Sequence, residues 1–227
     1  MNDLNKYLDA AILKAEFTRD EVIDALKACI KLKTFSVCVR PCDIELAQEN
    51  CKGTETAVCV VLGFPHGDQL TTSKADEAKR YIDLGVDEID MVANYGWVKS
   101  GQWDLVKADI EAVTKQTKAA GVISKVIFET AQIEDEHIKK LVEICIEADA
   151  DFIKTSTGFN GDGATVENVQ LMLDTAAGRI KVKPSGGIRN TEGAQKFVDM
   201  GAHRLGLSWN SCESVCKGSK PTSTSGY

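Results

Sequence analysis

Several charged residues lie within segments whose apolar composition is typical of buried β-strands. They are Asp9, Glu88, Asp90, Lys154, Lys181 and Lys183. Lysine and aspartate are rarely buried completely unless they are paired or functional. These residues are therefore the first candidates for chemistry.

The alternation of side chains along a strand predicts which of these residues point into the protein. In the segment EIDMVA, Ile89 and Met91 form one apolar face, so Asp90 lies on the opposite face. The same reasoning turns Lys154 and Lys183 towards the interior. Because adjacent strands lie about 4.8 Å apart, these two lysines are predicted to be neighbours.

Two ammonium groups in one partly dry site repel each other. Repulsion and desolvation both favour the neutral amine and lower a lysine pKa. A neutral lysine attacks carbonyl carbons and forms a Schiff base, and the carboxylate of Asp90 is suited to move protons beside it. The alternative is that both lysines reach solvent at the strand ends and form surface ion pairs. The residue types alone do not decide between the two.

Two glycine-containing loops indicate where an anion binds. Gly186 and Gly187 lie in the loop SGGIR, and Gly206 and Ser208 end the last apolar segment. Glycine lets the backbone approach a ligand closely, and free N–H groups before a helix bind anions. A simple tight turn is the alternative. Two such loops near the end of an α/β barrel favour a phosphate site.

The elements that position these residues are strands and helices in regular alternation. The predicted strands cover residues 7–13, 36–40, 57–64, 88–94, 124–130, 151–157, 180–183 and 204–208. Such alternation predicts parallel strands joined by helices, and eight units close most naturally into a barrel. We therefore expect an α/β protein with a single (βα)8 TIM barrel over residues 1–216 and a short flexible polar tail over 217–227. No G-x-G-x-x-G motif supports a dinucleotide-binding sheet.

Composition excludes several partners. The chain has 227 residues and a formal net charge of −7 without a basic stripe, which is unfavourable for nucleic acid or an anionic membrane. No window approaches 18 uncharged apolar residues, so no membrane span is expected. The charged N-terminal segment lacks the features of a signal peptide, which predicts a cytoplasmic protein. A homodimer is compatible with the sequence.

The eight cysteines are expected to be reduced thiols in this compartment. Cys38 and Cys42 have C-x3-C spacing, as do Cys212 and Cys216. A zinc site usually has tighter spacing and nearby histidines. The sequence therefore predicts no metal site.

Seven segments together resemble the deoxyribose-phosphate aldolase family over nearly the whole chain. They are SVCVRP, VVLGFPHG, DEIDMVANYG, KVIFET, ADFIKTSTGF, KPSGGIR and RLGLS. The resemblance implies a class I aldolase that reversibly cleaves 2-deoxy-D-ribose 5-phosphate to acetaldehyde and D-glyceraldehyde 3-phosphate. It implies a lysine Schiff base, small phosphosugar and aldehyde substrates, no metal and no organic cofactor.

The resemblance also implies a role for each matching residue. Lys154 is the Schiff-base lysine, Lys183 the second lysine that perturbs it, and Asp90 the general acid/base. Asp9 resembles a supporting carboxylate, and Cys38 a cysteine at the edge of the site without a clear role. The matching phosphate-loop positions are Gly158, Gly186, Gly187, Arg189, Gly206 and Ser208.

The tail and three departures from the family pattern complete the site prediction. Some family members carry a C-terminal tyrosine that enters the active site, so Tyr227 is a catalytic candidate. Ala10 and Ala11 stand where a His-Thr pair is common, and Trp209 replaces a small hydroxyl residue. The orientation of Asp9 and the affinity for phosphate are the properties that these departures affect.

Two other functions are compatible with the same residues. One is a different phosphosugar class I aldolase or a transaldolase-like barrel, which shares the lysine and the phosphate loops. The other is a barrel that binds a sugar phosphate without catalysis. The paired inward lysines argue against the second, because a binding protein has no need for a neutral amine.

Overall fold

A computed structural model of the chain describes residues 3–218. Within them, eight strands alternate with helices. The strands are β1 (Leu8–Ile12), β2 (Ser36–Val39), β3 (Ala57–Leu62), β4 (Glu88–Val92), β5 (Ile123–Ile127), β6 (Phe152–Lys154), β7 (Lys181–Lys183) and β8 (Leu205–Ser208). The helices are α1 (Arg19–Leu32), α2 (Ile44–Cys51), α3 (Thr71–Asp83), α4 (Tyr95–Lys99), α5 (Trp103–Ala120), α6 (Asp135–Glu147), α7 (Val166–Ala176), α8 (Thr191–Asp199) and α9 (Trp209–Lys217).

All neighbouring strands are parallel, in the order β7-β6-β5-β4-β3-β2-β1-β8. The two edge strands of this order meet at a single bridge between Ser185 and Gly206. The N–H of Gly206 donates to the carbonyl of Pro184 across this seam at 2.8 Å. The sheet therefore curls round into a barrel, which confirms the predicted (βα)8 fold.

Several predicted strands extend too far towards their carboxyl ends. The segment predicted as 151–157 leaves the sheet after Lys154, and the one predicted as 57–64 leaves it after Leu62. The Thr155–Thr157 run has strand-like composition, but Thr157 donates its N–H to the Glu129 carboxylate. The loops that carry the site begin at these points.

At its carboxyl end the chain continues as helix α9, which the sequence did not predict. Lys217, which we assigned to the tail, is the last residue of this helix and forms an ion pair with Glu213 at 2.6 Å. Residues 219–227 of the predicted flexible tail, including Tyr227, lie outside the described residues. None of the helices in residues 3–218 is long and apolar enough to cross a membrane.

The core is divided by the alternation of side chains. A large apolar cluster between strands and helices contains Ile89 and Met91, as predicted. A small inner cluster is formed by Ala11, Leu13, Cys38, Cys59 and Val61, with Phe64 packed on it. The inner cluster covers only the β1–β3 side of the barrel. On the other side, buried charged side chains share the interior with Val92, Ile127 and Phe152.

One buried ion pair outside the barrel joins two helices to β4. Lys74 on α3 and Asp109 on α5 are both almost inaccessible, and Lys74 Nζ lies 2.5 Å from Asp109 Oδ2. Lys74 also donates to the carbonyl of Val92 at 3.0 Å, at the end of β4. Breaking a buried pair leaves an uncompensated charge, whereas replacing both partners by apolar residues is often tolerated.

We expect Lys74→Met to lower the free energy of unfolding by about 3–5 kcal/mol, because Asp109 remains buried without its cation. The double variant Lys74→Met/Asp109→Leu should regain a large part of that loss. Denaturant unfolding of the two single variants and the double variant measures this. Additive losses in the double variant would contradict the interpretation.

Candidate active site

The predicted inward residues meet in one buried cluster inside the barrel. Asp9 comes from β1, Asp90 from β4, Lys154 from β6 and Lys183 from β7, and each is at most 3% exposed. Lys154 and Lys183 are direct partners in the register of β6 and β7. The strands therefore bring together four catalytic candidates that the sequence separates by long intervals.

Asp90 is the common partner of the two lysines. Its Oδ2 lies 2.9 Å from Lys154 Nζ and 2.8 Å from Lys183 Nζ. The other carboxylate, Asp9, lies 2.5 Å from Lys183 Nζ through its Oδ2. The two lysines are thus neighbours, as predicted. Carboxylate groups, however, lie between their ammonium groups.

Two further cations belong to the cluster and were missed in the sequence. Lys125 Nζ on β5 lies 2.6 Å from Glu88 Oε2, 2.7 Å from Asp90 Oδ1 and 3.6 Å from Asp9 Oδ2. Arg204, before β8, lies 2.7 Å from Asp9 Oδ1 and 3.0 Å from Glu88 Oε1. Lys154 was identified as a charged residue within an apolar strand segment. Lys125 stands in the apolar segment SKVIFET, so the same feature could have identified it.

The cluster holds more cations than anions. When all groups are ionised, four cationic side chains share three carboxylates, which leaves one positive charge uncompensated. Lys154 contacts one carboxylate, Lys183 two and Lys125 three. Of the three lysines, Lys154 is therefore held by the fewest ion pairs. From the sequence we expected simple repulsion between two lysines. In the structure, the competition of four cations for three carboxylates takes the place of that repulsion.

The protonation of the other groups follows from their neighbours. Burial by itself would raise the pKa of Asp90, but Lys125, Lys154 and Lys183 hold it well below its usual range. The pKa of Asp9 is lowered for the same kind of reason. Burial would lower the pKa of Lys183, but Asp9 and Asp90 raise it above the ordinary lysine value. Both carboxylates are therefore ionised at neutral pH, and Lys183 is a cation.

Two cysteine side chains border the cluster. Cys38 on β2 and Cys59 on β3 are direct partners in the strand register, and Cys59 donates its S–H to Asp90 Oδ1 at 3.2 Å. Together with Asp90 they form the one group in residues 3–218 with the spacing of a metal site, with ligand atoms within 4.8 Å of one another. Three ammonium groups already bind the Asp90 oxygens, which disfavours a divalent cation there.

A cavity of about 230 Å³ lies beside the cluster, between the loops that follow β6, β7 and β8. Five predicted phosphate positions line it. They are Gly158, Gly186, Gly187, Arg189 and Ser208. The sixth predicted position, Gly206, does not line the cavity. It leaves room for the charged cluster, because a Cβ at this position would lie 2.3 Å from Ser185 Oγ and 3.2 Å from Lys183 Cε.

The cavity is rich in backbone donors. In residues 3–218, no acceptor bonds the N–H groups of Gly187, Ile188 and Arg189, which precede α8. Gly186 and Gly187 have φ of +85° and +77°, a conformation that suits glycine. Successive free N–H groups in such a turn bind anions. The carboxylate residue Asp162 also lines the cavity.

Glu129 organises the loop that follows Lys154, and sequence reasoning missed it. This buried residue has a φ of +57°, and its carboxylate accepts hydrogen bonds from Thr157 N at 3.1 Å and from Asn160 Nδ2 at 3.2 Å. The Thr157 hydroxyl donates to it as well. The carboxylate thereby fixes the first turn of the cavity wall.

The departures from the family pattern lie around the cluster. Ala10 packs in the outer apolar cluster and Ala11 in the inner one. Neither side chain can hydrogen-bond Asp9, which is held instead by Arg204 and Lys183. Trp209 opens α9 and does not line the glycine-rich cavity.

A model of the DeoC/LacD aldolase family matches residues 6–210. The chain is 46% identical over 206 residues to the deoxyribose-phosphate aldolase of Mannheimia succiniciproducens, with 91% of each chain covered. It is 47% identical over 206 residues to deoxyribose-phosphate aldolase 1 of Staphylococcus aureus, covering 89% of this chain and 91% of that one.

Solved structures agree with these relatives. An aldolase named QR15 superposes with a TM-score of 0.90 at 41% identity, covering 96% of both chains. The tetrameric deoxyribose phosphate aldolase of Aeropyrum pernix superposes with a TM-score of 0.87 at 27% identity, covering 95% of this chain and 90% of that one.

We expect Asp9→Asn to lower the free energy of unfolding at neutral pH by several kcal/mol, because three buried cations lose a carboxylate. The pKa of Asp9 is lowered in the folded state, so its contribution is present above the unfolded pKa and is lost as the pH falls below about 4. The variant should therefore lose less further stability between about pH 4 and pH 2 than the parent.

Urea unfolding at a series of pH values measures this difference. Asp24→Asn, at an exposed position of α1, is the matched control and should follow the parent at every pH. Equal acid sensitivity of the parent and Asp9→Asn would contradict the ionised, paired state of Asp9.

Proposed function

The chain belongs to the DeoC/LacD family of aldolases, and we propose that it reversibly cleaves 2-deoxy-D-ribose 5-phosphate to acetaldehyde and D-glyceraldehyde 3-phosphate through a Schiff base on Lys154. The observation that carries this proposal is the single carboxylate contact of Lys154 in a cluster with one excess positive charge. The relatives named above support the choice of substrate.

In the cleavage direction, the neutral amine of Lys154 adds to the C1 aldehyde of the open-chain sugar, and loss of water gives the imine. A base removes the proton of the C3 hydroxyl, the C2–C3 bond breaks, and its electrons move into the protonated imine to form an enamine. Glyceraldehyde 3-phosphate leaves. Protonation of the enamine carbon and hydrolysis then release acetaldehyde and restore Lys154.

Asp90 is the proposed proton carrier because it contacts both Lys154 and Lys183. In the free enzyme, three ammonium groups hold its pKa low and make it a weak base. Conversion of Lys154 into a neutral enamine removes one of these charges and strengthens the base. Lys183, kept protonated by Asp9 and Asp90, is the proposed source of the proton.

The glycine-rich cavity is the proposed site for the 5-phosphate. Its three unbonded N–H groups, at Gly187, Ile188 and Arg189, supply local donors, which a chain with a net charge of −7 needs for an anionic substrate. Gly158, Gly186 and Ser208 complete the wall. The role of Gly206 in this proposal is to leave room for Lys183 rather than to contact phosphate.

Other parts of the sequence-based description remain predictions. A cytoplasmic location, a homodimer and the independence of metal and organic cofactors follow from the sequence and the family resemblance. So does the entry of Tyr227 into the site. The rival phosphosugar aldolases are separated by their products, since a coupled assay for glyceraldehyde 3-phosphate release from deoxyribose 5-phosphate responds only to the proposed reaction.

Borohydride reduction in the presence of acetaldehyde should attach an ethyl group to Lys154, because reduction traps the imine. Peptide mapping by mass spectrometry locates the label. Lys154→Met should abolish both labelling and cleavage. Lys181→Met is the matched control on β7, since Lys181 is exposed, and it should keep both. Labelling confined to Lys181 or Lys183 would exclude the assignment.

Replacement of Asp162 should favour the phosphorylated substrate, because a carboxylate in the cavity wall repels a phosphate dianion. For Asp162→Asn we expect the KM for deoxyribose 5-phosphate to fall roughly two- to fivefold, as one partly screened charge interaction implies. The KM for unphosphorylated 2-deoxyribose should not change. Asp174→Asn on the exposed side of α7 is the charge-matched control. An equal change with both substrates would argue against a phosphate site here.

A further inference from the structure

The two cysteines beside Asp90 have no part in the proposed reaction, yet their arrangement is specific. Cys38 and Cys59 are direct partners on parallel strands. Neighbouring strands lie about 4.8 Å apart, which is within the Cα separation of disulfide-bonded cysteines. Both side chains point into the barrel and pack in the same inner cluster, and their sulfur atoms lie within 4.8 Å of each other.

The two thiols differ in reactivity. The contact with Cys59 lowers the pKa of the Cys38 thiol, as do Lys154 and Lys183, whereas burial and Asp90 oppose this effect; Cys38 therefore carries the greater thiolate character. Burial and the neighbouring Cys38 and Asp90 raise the pKa of Cys59. An attacking thiolate with an adjacent thiol is the arrangement in which oxidation proceeds to a disulfide.

The thiols lie close to the amine of the proposed reaction. Asp90 contacts Lys154 Nζ through one oxygen and the Cys59 thiol through the other. One carboxylate therefore separates the thiols from the amine that an aldehyde must reach in the proposed reaction. Hydrogen peroxide is a smaller molecule than acetaldehyde, so we expect an interior that admits the aldehyde to admit the peroxide as well.

Another cysteine pair provides a contrast inside the same molecule. Cys29 on α1 and Cys212 on α9 are also neighbours, and the contact with Cys29 raises the pKa of the Cys212 thiol, as burial does. Both residues are completely inaccessible in the helical layer, away from the barrel interior. Both pairs are thus buried, but they lie in different layers: Cys38 and Cys59 face the barrel interior, whereas Cys29 and Cys212 lie between the barrel and the helices.

We propose that Cys38 and Cys59 form an oxidative modification site at which a hydroperoxide generates a disulfide bond inside the barrel. The Cys38 thiolate attacks one peroxide oxygen and the O–O bond breaks, which gives a sulfenic acid and hydroxide. The sulfur of Cys59 then displaces the sulfenic hydroxyl, and its proton leaves with that hydroxyl as water. The two sulfur atoms together lose two electrons, and hydrogen peroxide is reduced to one water and one hydroxide, which becomes a second water by taking up the proton that the Cys38 thiol had released.

The disulfide removes contacts from the active-site cluster. Cys59 no longer donates to Asp90 Oδ1, and its sulfur no longer accepts from Lys125 Nζ, which lies 3.4 Å away. Aldol turnover then falls about tenfold, which is the scale expected when a hydrogen bond to a charged group is lost. Reducing the bond with a dithiol restores both contacts.

The test is to treat the full chain with hydrogen peroxide, block the remaining thiols by alkylation and map peptides without reduction. We expect a cross-linked peptide pair that joins Cys38 to Cys59, with Cys29 and Cys212 still alkylated after unfolding as free thiols. This readout does not depend on catalysis. Deoxyribose 5-phosphate cleavage, which rests on the proposed function, is followed in parallel and should fall with the disulfide and return with dithiothreitol.

Three variants separate the alternatives. Cys42→Ser removes the exposed thiol in C-x3-C spacing with Cys38 and should leave the cross-link unchanged. In Cys59→Ala, Cys38 should stop at the sulfenic or sulfinic acid without a cross-link. Cys38→Ala should leave Cys59 unoxidised under the same treatment. Thermal melting checks that Cys59→Ala and Cys38→Ala are folded. If either variant is not, the peptide mapping of the parent protein decides whether the disulfide forms.

Three outcomes would overturn the proposal. One is oxidation confined to Cys42 in the parent protein, another is a cross-link of Cys38 to any other cysteine, and the third is a cross-linked protein whose cleavage activity is unchanged. Absence of activity before any peroxide is added would instead refute the proposed function and leave the mapping result intact.

Discussion

The main electrostatic constraint inside the barrel is the competition of four buried cations for three carboxylates. Charges are rarely buried without partners, because their desolvation is costly. Here Asp9, Glu88 and Asp90 compensate Lys125, Lys183 and Arg204, and the remaining cation is Lys154 with its single contact. A fully compensated cluster would be a structural feature. One surplus charge gives the site an amine that can become neutral without leaving an unpaired carboxylate.

The barrel is the means by which this cluster is assembled. Its seven contiguous parallel pairs fix which side chains face inward, and the seam between β7 and β8 needs a glycine at 206 because Lys183 and Ser185 fill the space of a side chain. The loops after β6 and β7 are packed against each other, with Gly163 against the backbone of Gly186. The Schiff-base candidate and the anion cavity therefore belong to one rigid unit.

The same low-dielectric interior explains why the neighbouring thiols matter. Cys59 donates to the carboxylate on which the lysines converge, so its chemical state is coupled to the proposed proton carrier. The proposed reaction requires a small aldehyde to reach an amine inside the barrel, and the proposed oxidation requires a peroxide to reach a thiol beside it. Both proposals therefore depend on the same geometry.

Local sequence patterns were sufficient to predict the eight alternating units and the inward direction of Asp90, Lys154 and Lys183. Together with the family resemblance, they also predicted five residues of the glycine-rich cavity. Side-chain alternation and glycine conformations are local properties, so they can be read from a few consecutive residues. The partners of the charged groups became known only from the folded chain. Arg204 meets Asp9 across 195 residues of chain, and Cys38 faces Cys59 rather than Cys42. Such pairs are fixed by the register and closure of the whole barrel, which no local pattern encodes.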